Sequence, residues 1–177
     1  EKIIKAVIEF VDIAGLVKGA SSGEGLGNKF LSHIRQVDAI AHVLRVFEDS
    51  DITHVHGKID PIEDQEVIEA ELLMADIETV TKRLAKAESN KKSGDKEAAK
   101  YFELIQALSD HLNEGKLAFT FTDDPEKKLQ LKDLHLLTMK PIIYVLNLKE
   151  EQVGNFDIDS FKKEHNFTPE TVVVPIC

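Results

Sequence analysis

The chain has 177 residues, 42% of them hydrophobic, and its formal net charge at pH 7 is -10. This length and apolar content predict one folded domain with room for an inserted subdomain, and they exclude a chain that is disordered throughout. The acidic balance argues against a general grip on nucleic acid, sequence-specific DNA binding included, and no apolar run approaches the roughly 20 residues of a membrane helix. The single cysteine, Cys177, excludes an internal disulfide and fits a reducing, cytoplasmic compartment.

Four apolar runs predict β-strands, and they are Ile3 to Val11, Ala39 to Phe47, Pro141 to Leu148 and Thr171 to Ile176. The last three are nearly continuous in apolar and β-branched residues, which is typical of a parallel sheet covered on both faces. The first alternates better and is expected nearer an edge. Helical patterns separate the runs, so the predicted fold class is α/β with a mostly parallel sheet.

Two helical patterns lie outside the long connection between the second and third predicted strands. Phe30, Leu31, Ile34 and Val37 recur at helical spacing between Gly25 and Val37. Near the end of the chain, Asp157 to Asn166 predicts a short polar helix, which either Asp157 or Asp159 could cap.

About ninety residues separate Phe47 from Pro141, which is far more than a normal crossover between strands. Two apolar seams with a spacing of three and four residues lie within this connection, on either side of a polar break at residues 89–95. They predict an antiparallel helical hairpin with coiled-coil character, whose arms of about 25 residues would reach roughly 35 to 40 Å. The seams are Ala70, Leu73, Ile77, Val80, Leu84, Ala87 and then Ala98, Tyr101, Ile105, Leu108, Leu112.

The hairpin is either a solvated decoration or an arm that binds a partner, and the sequence leaves both interpretations open. Basic residues cluster near its polar break and could form a local patch, although acids are interspersed. They are Lys82, Arg83, Lys86, Lys91, Lys92 and Lys96. A third helix is predicted from Pro125 to Leu137, with a broad leucine-rich face that returns the chain to the sheet.

Asp12 closes the first predicted strand and is followed by Gly15. In open α/β sheets, ligands bind beyond the carboxyl ends of the strands. An aspartate there can hold Mg²⁺ through its water shell, and a glycine allows a γ-phosphate oxygen to approach its backbone N–H closely. Four residues of this kind are a weak signal by themselves, and a plain turn is the alternative.

Asn147 and Glu150 form an N-x-x-E pattern at the end of the third strand. An asparagine amide there can bond a purine ring nitrogen. Guanine-specific GTPases carry aspartate at the fourth position, where its two oxygens accept from the guanine N1–H and N2 groups. Glu150 is one methylene longer, so we expect guanine selectivity to weaken and adenine to be accepted.

Together with the glycine-rich run from Gly15 to Asn28, these pieces make the chain resemble the YchF or Obg-like ATPases, a family of translation-factor-related P-loop NTPases. The resemblance covers essentially all of the chain. It implies a partial nucleotide-binding G-type domain made of residues 1–59 and 118–177, with the hairpin of residues 60–117 inserted. It also implies ATP preferred over GTP, slow hydrolysis, dependence on Mg²⁺ and association with the ribosome or its large subunit.

Site residues follow from the same resemblance. Asp12 matches the metal-associated aspartate and Gly15 the γ-phosphate sensor. Asn147, Leu148 and Glu150 match the base-binding motif, with Leu148 expected against the adenine plane, and Cys177 matches the start of the last base-side loop. Leu16 stands where Ras-like enzymes carry the glutamine that orients water, so another residue, the metal, a monovalent cation or a partner must place the water.

The phosphate loop G-x-x-x-x-G-K-[ST] is missing from the 177 residues. We therefore expect the chain to correspond to the centre of a larger protein and to bind nucleotide poorly by itself. Two other functions stay open, a nucleotide-gated scaffold with negligible hydrolysis and a guanine-specific GTPase. Arg35, on the predicted helix after the glycines, could contact phosphate, contact a partner or be solvated.

Overall fold

The computed structural model describes residues 7–12, 28–47, 60–92, 95–165 and 167–177. Its helices in these ranges are α1 (Asn28–Gln36), α2 (Pro61–Lys91), α3 (Lys96–Asn113), α4 (Pro125–Leu131), α5 (Glu150–Val153) and α6 (Ile158–Glu164). Its strands are β1 (Ile40–Arg45), β2 (Ile142–Asn147) and β3 (Val172–Ile176). Three short 3-10 turns lie between α3 and β2, at Ala118–Thr120, Lys132–Leu134 and Leu137–Met139.

The three strands form one sheet in the order β1-β2-β3, and both pairs are parallel. Leu44 lies beside Leu146, and Leu146 lies beside Pro175. Because every crossover contains at least one helix, the α/β fold with a parallel sheet is confirmed. Each strand is shorter by one to three residues than its apolar run.

One face of the sheet carries the core, and the other is open. His42, Leu44, Tyr144 and Leu146 face α2 and α6, and Leu44 and Leu146 are fully buried. On the opposite face Val43 is 58% exposed, and Val172 and Val174 are also exposed. The prediction of a sheet covered on both faces is therefore wrong for the described residues, because their helices pack on one side only.

The prediction of a first strand from Ile3 to Val11 is also wrong for the part of it that the structure describes. Residues 3–6 lie outside the described ranges, and residues 7–12 have no strand structure. Val7 is 90% exposed and Phe10 is 85% exposed. A strand is stable only when a neighbour accepts and donates its ladder hydrogen bonds, and the described part of the sheet pairs no strand with these residues.

Helix α1 confirms the pattern that began at Gly25, and the described part starts at Asn28. Ile34 is buried in a small cluster with Leu72 and Ala75 of α2 and with Leu137. Phe30 and Leu31 pack around the same cluster. The helix that follows the glycine-rich run is thus packed directly on the first half of α2.

The helical hairpin is present, and both of its helices have side-chain caps. Asp60 accepts hydrogen bonds from the N–H groups of Ile62 and Glu63, and Pro61 begins α2 where no N–H is needed. Asp95 caps α3 by accepting from the N–H of Glu97. The arms are unequal, with 31 residues in α2 and 18 in α3, rather than the two arms of about 25 that the seams predicted.

The unequal arms explain where the first seam fails. Ala70 is exposed, whereas Leu72 and Ala75 are buried. The first half of α2 packs on α1 and β1, not on α3, so a different stripe of the helix faces the core there. Beyond Asp76 the predicted seam holds, since Val80 is buried in one cluster with Ile105 and Leu108 of α3, and Ala87 is also buried.

The third helix is shorter than predicted. It ends at Leu131 instead of Leu137, and the chain continues through a 3-10 turn to His135. His135 has φ 48° and ψ 44°, a left-handed conformation that terminates a helix. The leucines before and after this break still reach the core, except Leu129, which is 72% exposed.

The last helix, α6, confirms the polar helix near the end of the chain. Asp157 is its cap, because its carboxylate accepts a hydrogen bond of 3.0 Å from the Ser160 N–H. Phe161 points inward from α6 to the buried side of the sheet. Across the described ranges, we find no helix that combines the length and the apolar character required to cross a bilayer.

Candidate nucleotide-binding site

Asn147 is the last residue of β2 and lies at the carboxyl edge of the sheet. Its carbonyl accepts a hydrogen bond of 3.1 Å from the Val46 N–H, which follows β1. Its neighbour Leu148 donates its N–H to the Ile176 carbonyl at 2.8 Å, at the end of β3. The start of the N-x-x-E pattern is therefore held by the backbone of both neighbouring strands.

The side chain of Asn147 is partly exposed. In the described part of the chain, no residue forms a hydrogen bond with its amide. The amide therefore keeps one acceptor and two donors for a ligand at this edge.

Leu148 differs from its expected position against a base. Its side chain is 3% exposed and belongs to the core cluster of Leu44, Tyr144, Leu146 and Phe161. A side chain without an exposed face cannot contact an adenine plane, so that expectation is wrong for this conformation. Burial of Leu148 instead fixes the backbone between Asn147 and Glu150.

Glu150 begins α5, a helix of four residues. The turn before it is closed by two hydrogen bonds, from the Gln152 N–H to the Lys149 carbonyl and from the Lys149 N–H to Oε1 of Gln152, both 2.9 Å. The Glu150 side chain is exposed. The carboxylate thus lies three residues from Asn147 on a rigid turn and has no ion pair with another described residue.

Cys177 directly follows Ile176, whose carbonyl is bonded to Leu148. Its thiol is free and exposed. Asn147, Glu150 and Cys177 are consequently brought to one edge of the sheet, as expected for the base side of a nucleotide site. That they bind a base stays a prediction.

The phosphate side is only partly described. Asp12 is exposed at the end of the extended segment 7–12, and Gly15 and Leu16 lie outside the described residues. The described ranges contain no group of three or more His, Cys, Asp or Glu residues placed to hold a metal. Mg²⁺ usually keeps several waters and binds substrate phosphates, so Asp12 fits a single water-mediated contact to a metal held mainly by the nucleotide.

Arg35 of α1 is half-buried and forms hydrogen bonds within the molecule. Its guanidinium donates to Oγ1 of Thr79 at 3.1 Å and to the His135 carbonyl at 3.4 Å. Lys140 donates to the Val37 carbonyl at 2.6 Å, just beyond the same helix. The sequence left phosphate, a partner or solvent as alternatives for Arg35, and the structure shows instead an internal contact that joins α1 to the hairpin.

Asp76 is a buried carboxylate that sequence reasoning missed. Its oxygens accept from the Leu137 N–H at 2.8 Å, the Thr138 N–H at 2.8 Å and the Thr138 hydroxyl at 2.7 Å. Oγ1 of Thr138 in turn accepts from the Ala118 N–H at 2.9 Å. Burial raises the pKa of Asp76, and these hydrogen bonds oppose that rise. The only sequence signal was a charged residue next to an apolar seam position, Ile77.

A second buried polar group lies under the sheet. The Tyr144 hydroxyl donates to Oε1 of Glu69 at 2.5 Å, and the Gln65 amide donates to the same oxygen at 2.9 Å. Burial and this carboxylate raise the pKa of Tyr144, so the phenol stays protonated. Burial lowers the pKa of His42 to about 4, against the opposing charge of Asp64. These groups hold the start of α2 on the sheet.

The known proteins to which this chain is similar are named as ribosome-binding ATPases or GTPases. Residues 1–75 match the profile of a family described as 50S ribosome-binding GTPase. Over its whole length the chain aligns with 52% identity to the ribosome-binding ATPase YchF of Bacillus subtilis strain 168, covering 49% of that relative. Its identity to the protein of the same name from Haemophilus influenzae is 41%, again covering 49% of the relative. The chain therefore spans about half the length of the curated relatives it matches.

The fold also matches a solved structure of a protein that carries the same name, YchF. The chain aligns with the structure of the Schizosaccharomyces pombe YchF GTPase at a TM-score of 0.75 and 35% identity. The match covers 92% of this chain and 46% of the other. The arrangement of sheet and helices described above is thus that of a G-domain-like α/β fold.

Proposed function

We propose that this chain, which is homologous over its full length to the YchF ribosome-binding ATPases, is part of a ribosome-associated switch that binds ATP and hydrolyses it slowly. The observation that carries the proposal is the sheet edge where the Asn147 amide has no hydrogen-bond partner among the described residues and the Glu150 carboxylate is exposed. Residues 60–117 are proposed as an insertion in the nucleotide-binding domain formed by residues 1–59 and 118–177.

In this proposal the base lies against the edge formed by Asn147, Glu150 and the residue at the end of β3, Cys177. The carboxylate of Glu150 is one methylene further from the backbone than that of an aspartate. It is therefore poorly placed to accept both guanine donors from the same turn. ATP is preferred over GTP for this reason. The bacterial relatives are named ATPases and the yeast structure a GTPase, so base preference is the part that most needs a test.

The phosphate side is proposed to use Asp12 for the shell of Mg²⁺ and Gly15 for the γ-phosphate. When bound, Mg²⁺ would neutralise phosphate charge. Leu16 can neither donate nor accept a hydrogen bond. Without a glutamine there, placement of the water falls to a monovalent cation, another residue or the ribosome, and intrinsic hydrolysis is slow.

The test is turnover of ATP and of GTP by a protein that contains this chain together with an upstream phosphate loop, with and without ribosomes. We expect slow ATP turnover that ribosomes increase, and weaker turnover of GTP. Co-sedimentation with the large ribosomal subunit provides a separate readout of association. Nucleotide-dependent co-sedimentation without any turnover would instead support the second candidate, a nucleotide-gated scaffold, which the absence of glutamine at Leu16 favours.

Base preference has its own prediction. In the same protein, Glu150→Asp is expected to shift the ratio of ATP to GTP affinity at least tenfold toward GTP, because the shorter carboxylate reaches the bidentate position. Competition of the two nucleotides for a fluorescent analogue measures the ratio. Glu151→Asp, one residue further along the same short helix, is the matched control. An unchanged ratio in Glu150→Asp would contradict our account of the N-x-x-E pattern.

A further inference from the structure

Gln152 is at the centre of the hydrogen bonds that shape the turn after Asn147. Its backbone N–H donates to the Lys149 carbonyl at 2.9 Å, and its carbonyl accepts from the N–H groups of Gly154 and Asn155. Its side-chain Oε1 accepts from the Lys149 N–H at 2.9 Å. This last contact is the only side-chain hydrogen bond that the structure describes for residues 149–155, so it alone depends on which side chain stands at position 152.

The short helix α5 has little stability of its own. Four residues form too few hydrogen bonds to offset the cost of nucleating a helix. Its N-cap residue is Lys149, whose side chain has no acceptor, whereas the residues preferred at this position cap the first turn with a side-chain oxygen. Gln152, at the third helical position, supplies the reciprocal contact from inside the helix. We therefore expect the conformation of residues 149–153 to depend on the Gln152 side chain.

The same contact determines how Glu150 is presented at the edge of the sheet. Glu150 and Glu151 are adjacent in the sequence, and successive residues of a helix point about 100° apart. A bond between the side chain of Gln152 and the Lys149 N–H is typical of the third helical position and the N-cap, so it favours a helix that begins at Glu150. Gln152 thus fixes the direction of the Cα–Cβ bond from which the Glu150 carboxylate extends.

We propose that Gln152 is a positioning residue for base selectivity and acts through Glu150. The proposal deepens the proposed preference for ATP and rests on it. While the turn is held, the Glu150 carboxylate stays away from the position in which it could accept from both guanine donors. When the turn is loosened, the carboxylate reaches that position and discrimination against GTP falls. Asn147 is held separately, by the hydrogen bond from the Val46 N–H to its carbonyl, so its own contact with the base should not change.

The test compares Gln152→Met with the unsubstituted form of the protein that contains this chain and an upstream phosphate loop. Methionine is similar in length to glutamine but has no strong acceptor. Competition of ATP and GTP for a fluorescent analogue should show the affinity ratio shifted about threefold to tenfold toward GTP, which is the change expected when one ordinary hydrogen bond is lost. The kcat for ATP should change by less than about twofold, because the phosphate side is not altered.

Two further variants separate positioning from a general loss of structure. Gln152→Glu keeps an oxygen that accepts from the Lys149 N–H, so its affinity ratio should stay within about twofold of that of the unsubstituted protein. Val153→Met, the matched control, introduces the same side chain one residue further along, where no side-chain hydrogen bond is lost. It should also leave the ratio unchanged. Equal shifts in Gln152→Met and Val153→Met would overturn the proposal.

A double-mutant cycle tests whether Gln152 acts through Glu150. If it does, its effect on base preference must disappear when the carboxylate is absent. Adding Gln152→Met to a Glu150→Ala protein should therefore leave the ratio of ATP to GTP affinity where Glu150→Ala alone put it. A shift of the same size with and without the carboxylate would mean that Gln152 affects the base by another route, and would overturn the proposal.

Failure here is distinguishable from failure of the proposed function. Amide hydrogen exchange at Lys149, measured by NMR on the 177-residue chain without nucleotide, should be at least about threefold faster in Gln152→Met than in the unsubstituted chain or in Gln152→Glu. Equal exchange rates, or a preference for ATP that Gln152→Met leaves unchanged, would overturn the role of Gln152 alone. Equal affinity of the unsubstituted protein for ATP and GTP would instead overturn the proposed base preference, and the role of Gln152 with it.

Discussion

His42 is a half-buried base in the middle of β1, with its ring 5.9 Å from that of Tyr144. Burial lowers its pKa to about 4, from 6.5 in an exposed chain. Between those values the unfolded chain binds a proton that the folded chain does not. The free energy of unfolding therefore decreases as the pH falls from about 6.5 toward 4, and the contribution is fully retained above that window.

This linkage gives a residue-scale prediction. Between pH 7 and pH 5 the unsubstituted chain should lose about 2 kcal/mol of stability through His42, measured by urea unfolding. The variant His42→Gln cannot titrate at this position, so its loss of unfolding free energy between pH 7 and pH 5 should be smaller by about 2 kcal/mol. The other histidines are common to both proteins and cancel in the comparison. Equal losses in the two proteins would mean that His42 is protonated in the folded state.

At the scale of residues, sequence reasoning located the base-side edge but not the state of each side chain. Asn147, Glu150 and Cys177 could be predicted together because parallel strands end at the same edge. Burial of Leu148 could not be predicted, because it depends on the position of Phe161 from a helix that follows in sequence. Asp76 was missed because its donors, at residues 137 and 138, are about sixty residues away.

The hairpin base shows how elements are joined. Asp76 of α2 accepts hydrogen bonds from backbone N–H groups of the turn before β2. The Thr138 hydroxyl of that turn accepts a further hydrogen bond from the turn after α3. Arg35 adds a bond from α1 to Thr79, one turn further along α2. The hairpin is therefore connected by polar groups to the helix after the glycine-rich run and to the strand that carries Asn147.

An element-scale prediction follows from the buried carboxylate. Asp76→Ala removes the acceptor of three buried donors and should cost roughly 3 to 5 kcal/mol in the free energy of unfolding. Glu78→Ala, on the exposed side of the same helix, should change it by less than about 0.5 kcal/mol. Urea unfolding followed by circular dichroism measures both. A cost below about 1 kcal/mol for Asp76→Ala would show that apolar packing alone holds α2.

Helices with one continuous apolar stripe were predicted well, and those whose environment changes along their length were not. The distal seam of the hairpin and α6 follow local periodicity. The first half of α2 does not, since it exchanges α3 for α1 and β1 as its neighbour. Helix α4 ends at Leu131 and the 3-10 turn after it ends at His135, whose left-handed conformation the surrounding leucine pattern does not signal.

At the scale of the whole molecule, the sequence predicted the fold class and the order of strands and helices along the chain. It did not predict that the described helices cover only one face of the sheet. Strand propensity identified β1, β2 and β3. The run near residues 7–12 has the same propensity without a strand, because pairing depends on the neighbours available and not on local sequence. An apolar pattern therefore predicted a strand but not whether that strand is paired.

The nucleotide affinity of the 177-residue chain is a prediction about the whole molecule. Asn147, Glu150 and Cys177 lie at one edge of the sheet, but the sequence has no G-x-x-x-x-G-K-[ST] motif to supply the lysine and hydroxyl that hold phosphates and Mg²⁺. Calorimetric titration with ATP and Mg²⁺ should therefore detect no micromolar binding. A titration with adenosine is the control for the base edge alone. A micromolar dissociation constant for ATP would show that phosphate is held by residues other than such a loop.

Asp76 lies 15 residues from each end of α2, and this position makes the helix a lever with equal arms. Each arm is about 22 Å long, whereas Thr79, where Arg35 acts, lies only about 4.5 Å from the pivot along the axis. For the distal end, at Lys91, to follow a displacement at Thr79 with a magnification of about fivefold, the contact of Arg83 to Asp133 would have to break.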